Sequence, residues 1–237
     1  MTKGYIDHKE LGRVLVTINP RATRFIARWK GQELHLTSPA VAGSASILQA
    51  LDSMASRLLA SRPEVYAISP GTRLDFDHFF ITFTQHPLPL TIESRIMHYN
   101  GKPGVAIAIG KNIDPSEPSS EKLIAKHIHH AAHFFASSLI AEAQSISARL
   151  GVSPKEWVIG NGSRRLGCCG ANRRISLSSM CMFLPYRLRE YIVCHELAHL
   201  THFDHSPAFH ELCSRYCGGD GNLRRAELKA FRWPVPR

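Results

Sequence analysis

Residues 191–210 read YIVCHELAHLTHFDHSPAFH and hold five histidines between positions 195 and 210. Two of them, His195 and His199, bracket a glutamate in the pattern H-E-x-x-H. At about 100° per residue these two fall on one helical face, one turn apart, so both imidazoles can converge on one ion at roughly 2.0–2.1 Å. Glu196 sits beside the pair, where a carboxylate can reach a water in the metal's open position, the general-base arrangement of zinc hydrolases. Val193, Leu197 and Leu200 lie on the opposite face and are expected to bury against a core.

Two histidines compete for the third ligand position. His202 lies near the same face as His195 but two turns further along a helix whose pattern runs from 186 to 203. His205 falls just past that helix, where a returning chain could complete a three-histidine site. In HSPAFHELCSRYCGG (205–219), Ser206 can cap and Pro207 can start a new helix, which makes His205 the residue at the turn. The expected ligand set is His195, His199 and His205, with Glu196 as base.

The rest of the chain sets the context. With 237 residues and 44% hydrophobic content it can bury a core as one large domain or two small ones. No apolar run reaches the roughly 18 residues of a membrane span, and Thr2, Lys3, Asp7, His8, Lys9 and Glu10 stand where a secretory apolar region would lie. A soluble cytoplasmic protein is expected. Six cysteines without a regular framework read as free thiols. The formal charge of +10 could draw nucleic acid or acidic substrates, but the basic residues are dispersed and a solvated basic surface is the stronger reading.

Along the chain, VLVTI (14–18), RFIARW (24–29) and LHL (34–36) read as a short meander with turns at NPRA and KGQE. The stretch 45–61 has helical spacing, with Ile47, Leu51, Met54 and Leu58 on one face and Pro63 ending it. More strands follow in FFITFT, LTIESRIMHY and GVAIAIG. The polar, proline-bearing DPSEPSS (114–120) is the best boundary, dividing a β-rich region with one helix (1–114) from a second domain (115–237). A helical pattern then runs from about Glu121 to Leu150 and stops at Gly151, after which WVIGN and RRISLS read as strands. No repeat is apparent.

The segments RRLGCCG (164–170), RISLS (174–178) and YIVCHELAHLTHFDHSPAF (191–209) together resemble the YgjP-like zinc metallopeptidases, whose pattern is approximately R-W-G-S-C, a strand I-x-L-N, then V-V-H-E-L-x-H-L and N-H-S-x-x-F. Leu166, Cys168, Ser178 and His210 depart from that pattern, but no ligand and no base is lost. The resemblance implies an α+β, zincin-like metallopeptidase domain after a β-rich N-terminal region. It also implies zinc on His195, His199 and His205, Glu196 as catalytic base, peptide or protein substrates, and Ile175 to Ser178 as the strand that receives them. A zinc hydrolase of a non-peptide substrate such as a nucleotide, and a nucleic-acid-associated protein with structural zinc, are the alternatives.

Other constellations are weaker. His127, His130 and His133 share helical spacing, and His129 with His133 forms an i,i+4 pair, but no glutamate accompanies them and a solvated helix face is the stronger reading. Cys168 and Cys169 are adjacent, an arrangement that seldom converges on one zinc. GNGSRRLG lacks a P-loop lysine and reads as a turn. Arg21, Arg24, Arg28 and Lys30 with Phe25 and Trp29 could make a basic ribbon for nucleic acid, though strand alternation sends part of that set inward. Tyr186, Tyr191, Arg164 and Arg165 are oxyanion-stabilising candidates by residue type alone.

Overall fold

Alternation governs the first sheet. In the strand Glu33–Ser38 every second residue is buried, and Leu34 and Leu36 carry the apolar side. The computed structural model describes residues 2–30, 33–62 and 68–235. By its contacts the chain divides into one unit of residues 1–66 with 115–121 and another of 67–114 with 122–237. This division does not follow a cut at 114/115, because the strands at 73–110 cluster with the later helices.

The first unit contains β1 (Lys3–His8), β2 (Gly12–Ile18), β3 (Ile26–Lys30), β4 (Glu33–Ser38) and helix α1 (Ser44–Ala60). The sheet order is β1-β2-β4-β3. The expected meander is therefore corrected. β2 runs parallel to β4, and β3 is the outer strand, antiparallel to β4. The seven residues 19–25 are long enough to carry the chain past the place that β4 takes, and Asn19 N–H closes on the Ser38 carbonyl at 2.9 Å. Val14 and Val16 face Leu34 and Leu36 in register, and Ile47, Leu51, Ala55 and Leu58 of α1 complete the core. Met54, expected on that face, is only partly buried. Pro63 lies outside the described residues. Phe25 and Trp29 pack on this core, with Trp29 Nε1 donating to the Leu58 carbonyl at 2.9 Å, so the aromatic members of the basic ribbon point inward while Arg28 and Lys30 stay exposed.

The second unit opens with β5 (Arg73–Asp75), β6 (Phe80–His86), β7 (Ile92–Tyr99) and β8 (Lys102–Gly110), in the order β5-β6-β8-β7. β6 and β8 are parallel and both outer pairs are antiparallel, so this sheet repeats the topology of the first although the sequences show no repeat. The single helix expected over 121–150 is two, α2 (Pro118–Phe135) and α3 (Ser137–Leu150), interrupted at Ala136, where Ser138 Oγ donates to the Phe135 carbonyl at 3.0 Å. Gly151 ends α3 at φ 66°, a left-handed cap that glycine adopts without strain. A three-stranded sheet follows from β9 (Glu156–Gly160), β10 (Gly167–Cys169) and β11 (Arg174–Ser178), then a 3-10 turn (Ser179–Phe183) and helices α4 (Tyr186–Ala198), α5 (Pro207–Tyr216) and α6 (Gly221–Ala230).

α4 is the axis of this unit. It packs against α3, α5, α6, β10 and β11, and almost all of it is buried, with Val193 and Leu197 in the core as their spacing requires; Leu200, just past its end, is buried too. Its one buried cation, Arg189, donates to Glu142 at 2.6 and 2.8 Å, to Asp77 at 2.8 Å and to the Leu184 carbonyl at 2.6 Å. A buried guanidinium needs such partners to offset its desolvation. Among the described residues no helix is long and apolar enough to cross a membrane. All six cysteines are free thiols.

Candidate active site

The helix expected to reach residue 203 stops at Ala198, with His199 as its C-cap. His199 Nδ1 faces the His202 carbonyl at 3.0 Å. A carbonyl can only accept, so Nδ1 carries the proton and Nε2 is left with its lone pair. His202 thus contributes its backbone, which is why it could not be recognised as a competitor of a different kind from its side chain. The turn then brings back His205, whose Nε2 lies 3.2 Å from His195 Nε2.

The tail of the motif has a physical role as well. Ser206 caps α5, its hydroxyl accepting from the Phe209 N–H at 3.4 Å, and Pro207 takes the first helical position. This directs Phe209 under the three imidazoles: its ring centroid is 4.4 Å from His199, 4.8 Å from His195 and 4.9 Å from His205, and it is fully buried. Among the described residues, His195, His199 and His205 are the one group of three or more His, Cys, Asp or Glu side chains whose donor atoms converge, all within 4.8 Å of one another. Burial, followed by the charges of His199 and His205, lowers His195 to about 4, so at neutral pH it is an uncharged imidazole able to donate a lone pair. This donor set could hold a metal ion.

Glu196 is 5% exposed, and burial raises its carboxyl to about 7 despite a hydrogen bond from the Cys169 N–H. Gly167 of β10 lies directly against it. A Cβ at that position would stand 2.6 Å from Glu196 Cγ and Cδ and would run into Oε1.

The receiving strand needs correction. The order β10-β11-β9 puts Ile175 to Ser178 in the middle of the sheet, bonded on both sides, and leaves β10 at the free edge beside Glu196. Ser178 N–H binds the Leu166 carbonyl and Gly170 N–H the Arg174 carbonyl, both at 2.8 Å, so residues 166, 168 and 170 turn their backbones toward β11. By antiparallel alternation the backbone groups of Gly167 and Cys169 point outward.

A cleft of about 650 Å³ contains His195, Glu196 and Gly167. Of the oxyanion candidates, Tyr191, Arg164 and Arg165 line it, whereas Tyr186 borders a different cavity with Arg149 and Glu190. Burial raises Tyr191 to about 12, so its hydroxyl stays protonated as a donor. Arg225 and Lys229 of α6 and the following Phe231 and Trp233 complete the wall. None of these four was picked out from the sequence, where nothing local ties residues 225–233 to residue 196.

The sequence model of the YgjP-like metallopeptidase domain matches residues 27–231. The chain belongs to the YgjP-like metallopeptidase family. Membership makes it a hydrolase of the metallopeptidase class and implies a metal. No curated protein and no solved structure matches it.

The weaker constellations lie apart from this site. His127, His129, His130 and His133 line a cavity of about 540 Å³ with Lys126, but no three of them converge as metal donors. His127 Nδ1 is instead 2.7 Å from Ser94 Oγ, and burial lowers its pKa. Cys168 is exposed and Cys169 partly buried, and neither joins the three-imidazole group.

Proposed function

We propose that this YgjP-like metallopeptidase is zinc-dependent, with His195, His199 and His205 holding the ion and Glu196 acting as general base on peptide substrates. The meeting of three imidazole donors and one buried carboxylate beside a free strand edge carries the proposal. Three neutral nitrogen donors suit zinc, and an open cleft suits a three-ligand catalytic site better than a closed structural one. Bound there, zinc supplies Lewis acidity, polarising a carbonyl and acidifying a water. Glu196 accepts the proton of the attacking water and returns it to the leaving amine. The outward backbone groups of Gly167 and the carbonyl of Cys169, whose N–H is taken by Glu196, align an extended substrate as an added strand.

Metal content and casein cleavage of four variants test this. Glu196→Gln is expected to keep its zinc and lose cleavage by a factor on the order of 10² or more. His199→Ala and His205→Ala should lose the metal, while His202→Ala should keep it because only the His202 carbonyl is used. A Glu196→Gln protein that cleaves as fast as the parent refutes the peptidase mechanism and leaves a structural zinc as the better account.

A further inference from the structure

The cleft beside Glu196 is unbalanced in charge. Arg165, from the loop before β10, and Arg225 and Lys229, four residues apart on α6, all line it. Among the described residues none of the three has a hydrogen-bonding or ion-pair partner, although carboxylates are within reach of their neighbours. Arg224, next to Arg225, donates to Glu190 at 2.5 Å and pairs with Asp220 at 2.6 Å, and Arg187 pairs with Asp220 at 2.7 Å and Glu227 at 3.0 Å. α6 thus sends one arginine inward to the protein's own acids and presents Arg225 and Lys229 to the cleft. Among the described residues the one carboxylate lining the cleft is Glu196, which is buried.

The opposite contribution is apolar. Phe231 and Trp233 follow α6 and meet edge to face, with centroids 5.3 Å apart at 89°, on the same wall. A cleft with three unpaired cations, an aromatic pair and a free strand edge selects an occupant that is extended, anionic and partly apolar. Resting on the peptidase reading, we propose that the cleft is selective for acidic peptides, with Arg165, Arg225 and Lys229 recognising aspartate or glutamate side chains near the scissile bond and Phe231 with Trp233 holding an adjoining apolar residue. The chemistry favours a peptide over a bare polyanion because the strand edge supplies main-chain bonds and the aromatic pair supplies apolar area, neither of which a phosphate chain can use.

The test uses the full-length zinc-loaded Glu196→Gln protein, so that binding is read without turnover. Fluorescent peptides of one leucine-containing sequence, carrying two glutamates at successive positions or glutamines in their place, are titrated by anisotropy at about 0.15 M salt, where long-range attraction is screened. The glutamate peptide is expected to bind about ten-fold more tightly, with a clear dependence on position. Arg225→Gln combined with Lys229→Gln should bring the two peptides within about two-fold of each other without changing Tm, since neither residue has a partner to lose. Lys126→Gln, which removes one cation at the histidine cavity, should leave the ratio intact. Equal binding of the two peptides, a ratio that survives the double substitution, or equal competition by inorganic tripolyphosphate irrespective of glutamate position overturns the proposal. Cleavage of casein by the parent without any glutamate preference overturns this selectivity alone. A preference in binding with no peptide cleaved by the parent overturns the peptidase reading and leaves the selective cleft standing.

Discussion

Replacing Gly167 by alanine perturbs Glu196, the proposed base, without touching any of the three histidines proposed as metal donors. The added Cβ would lie 2.6 Å from both Cγ and Cδ of Glu196, against the 3.5–4.0 Å of ordinary carbon contacts, so the two groups must separate by about 1 Å. Glu196 has little room to yield, being buried on α4 and held by the Cys169 N–H. A misplacement of about 1 Å at a reacting group costs on the order of 10²-fold in rate, which is about 2.7 kcal/mol of transition-state stabilisation. The expected outcome is a Gly167→Ala protein that keeps one zinc, has a Tm lowered by a few degrees through overpacking, and shows kcat/KM for peptide hydrolysis reduced about a hundred-fold. The comparison with Glu196→Gln is informative, because a displaced base and a missing base should give similar rates. If Gly167→Ala retains its metal and cleaves within about three-fold of the parent, Glu196 does not work from the position seen beside β10.

Phe209→Ala removes the ring beneath all three imidazoles. It should lower stability by about 3–5 kcal/mol and also weaken zinc binding, checked by urea unfolding and by zinc titration of the folded fraction; unchanged affinity would mean that the imidazoles are positioned without it. For Glu142, burial alone would raise the carboxyl, but hydrogen bonds from Arg189 and His78 prevail and hold it at about 2, below its ordinary 4.5. A pKa depressed on folding stabilises fully above about 4.5 and is lost as pH falls toward 2, an effect of at most about 3 kcal/mol. Glu142→Gln should therefore lower Tm at pH 7 and flatten its fall between pH 4.5 and 2, and a variant with the parent's acid slope would show that this pair does not govern acid unfolding.

The parts of the site legible in the sequence are those built from neighbours along the chain. His195, Glu196 and His199 needed only the helical period, and Ser206 and Pro207 announced the helix that returns His205. The point where α4 ends was not legible, because Leu200-Thr201-His202 contains neither glycine nor proline and the stop comes from His199 Nδ1 on the His202 carbonyl. Strand position was likewise hidden. RISLS alternates well and the family resemblance gave it the substrate-facing place, yet GCC, with only three residues, takes the edge. Alternation reports which face is buried but not which neighbours flank a strand. The same limit concealed the parallel pairing of β2 with β4 and the contribution of α6 to the cleft.

The separation between local and distant parts has a consequence for the order of assembly. The three imidazoles lie between residues 195 and 205, joined by one helical turn and a short loop, so a chain only partly organised around α4 and α5 can already close on a metal at small entropic cost. Glu196 is packed against β10, which pairs with β11, and α6 forms part of the cleft wall. Refolding in the presence of zinc should accordingly show metal protection of the histidines before hydrolytic activity appears. On the zinc-peptidase reading, the metal would be held before Glu196 is aligned, so hydrolysis would begin only once the later parts of the fold are in place.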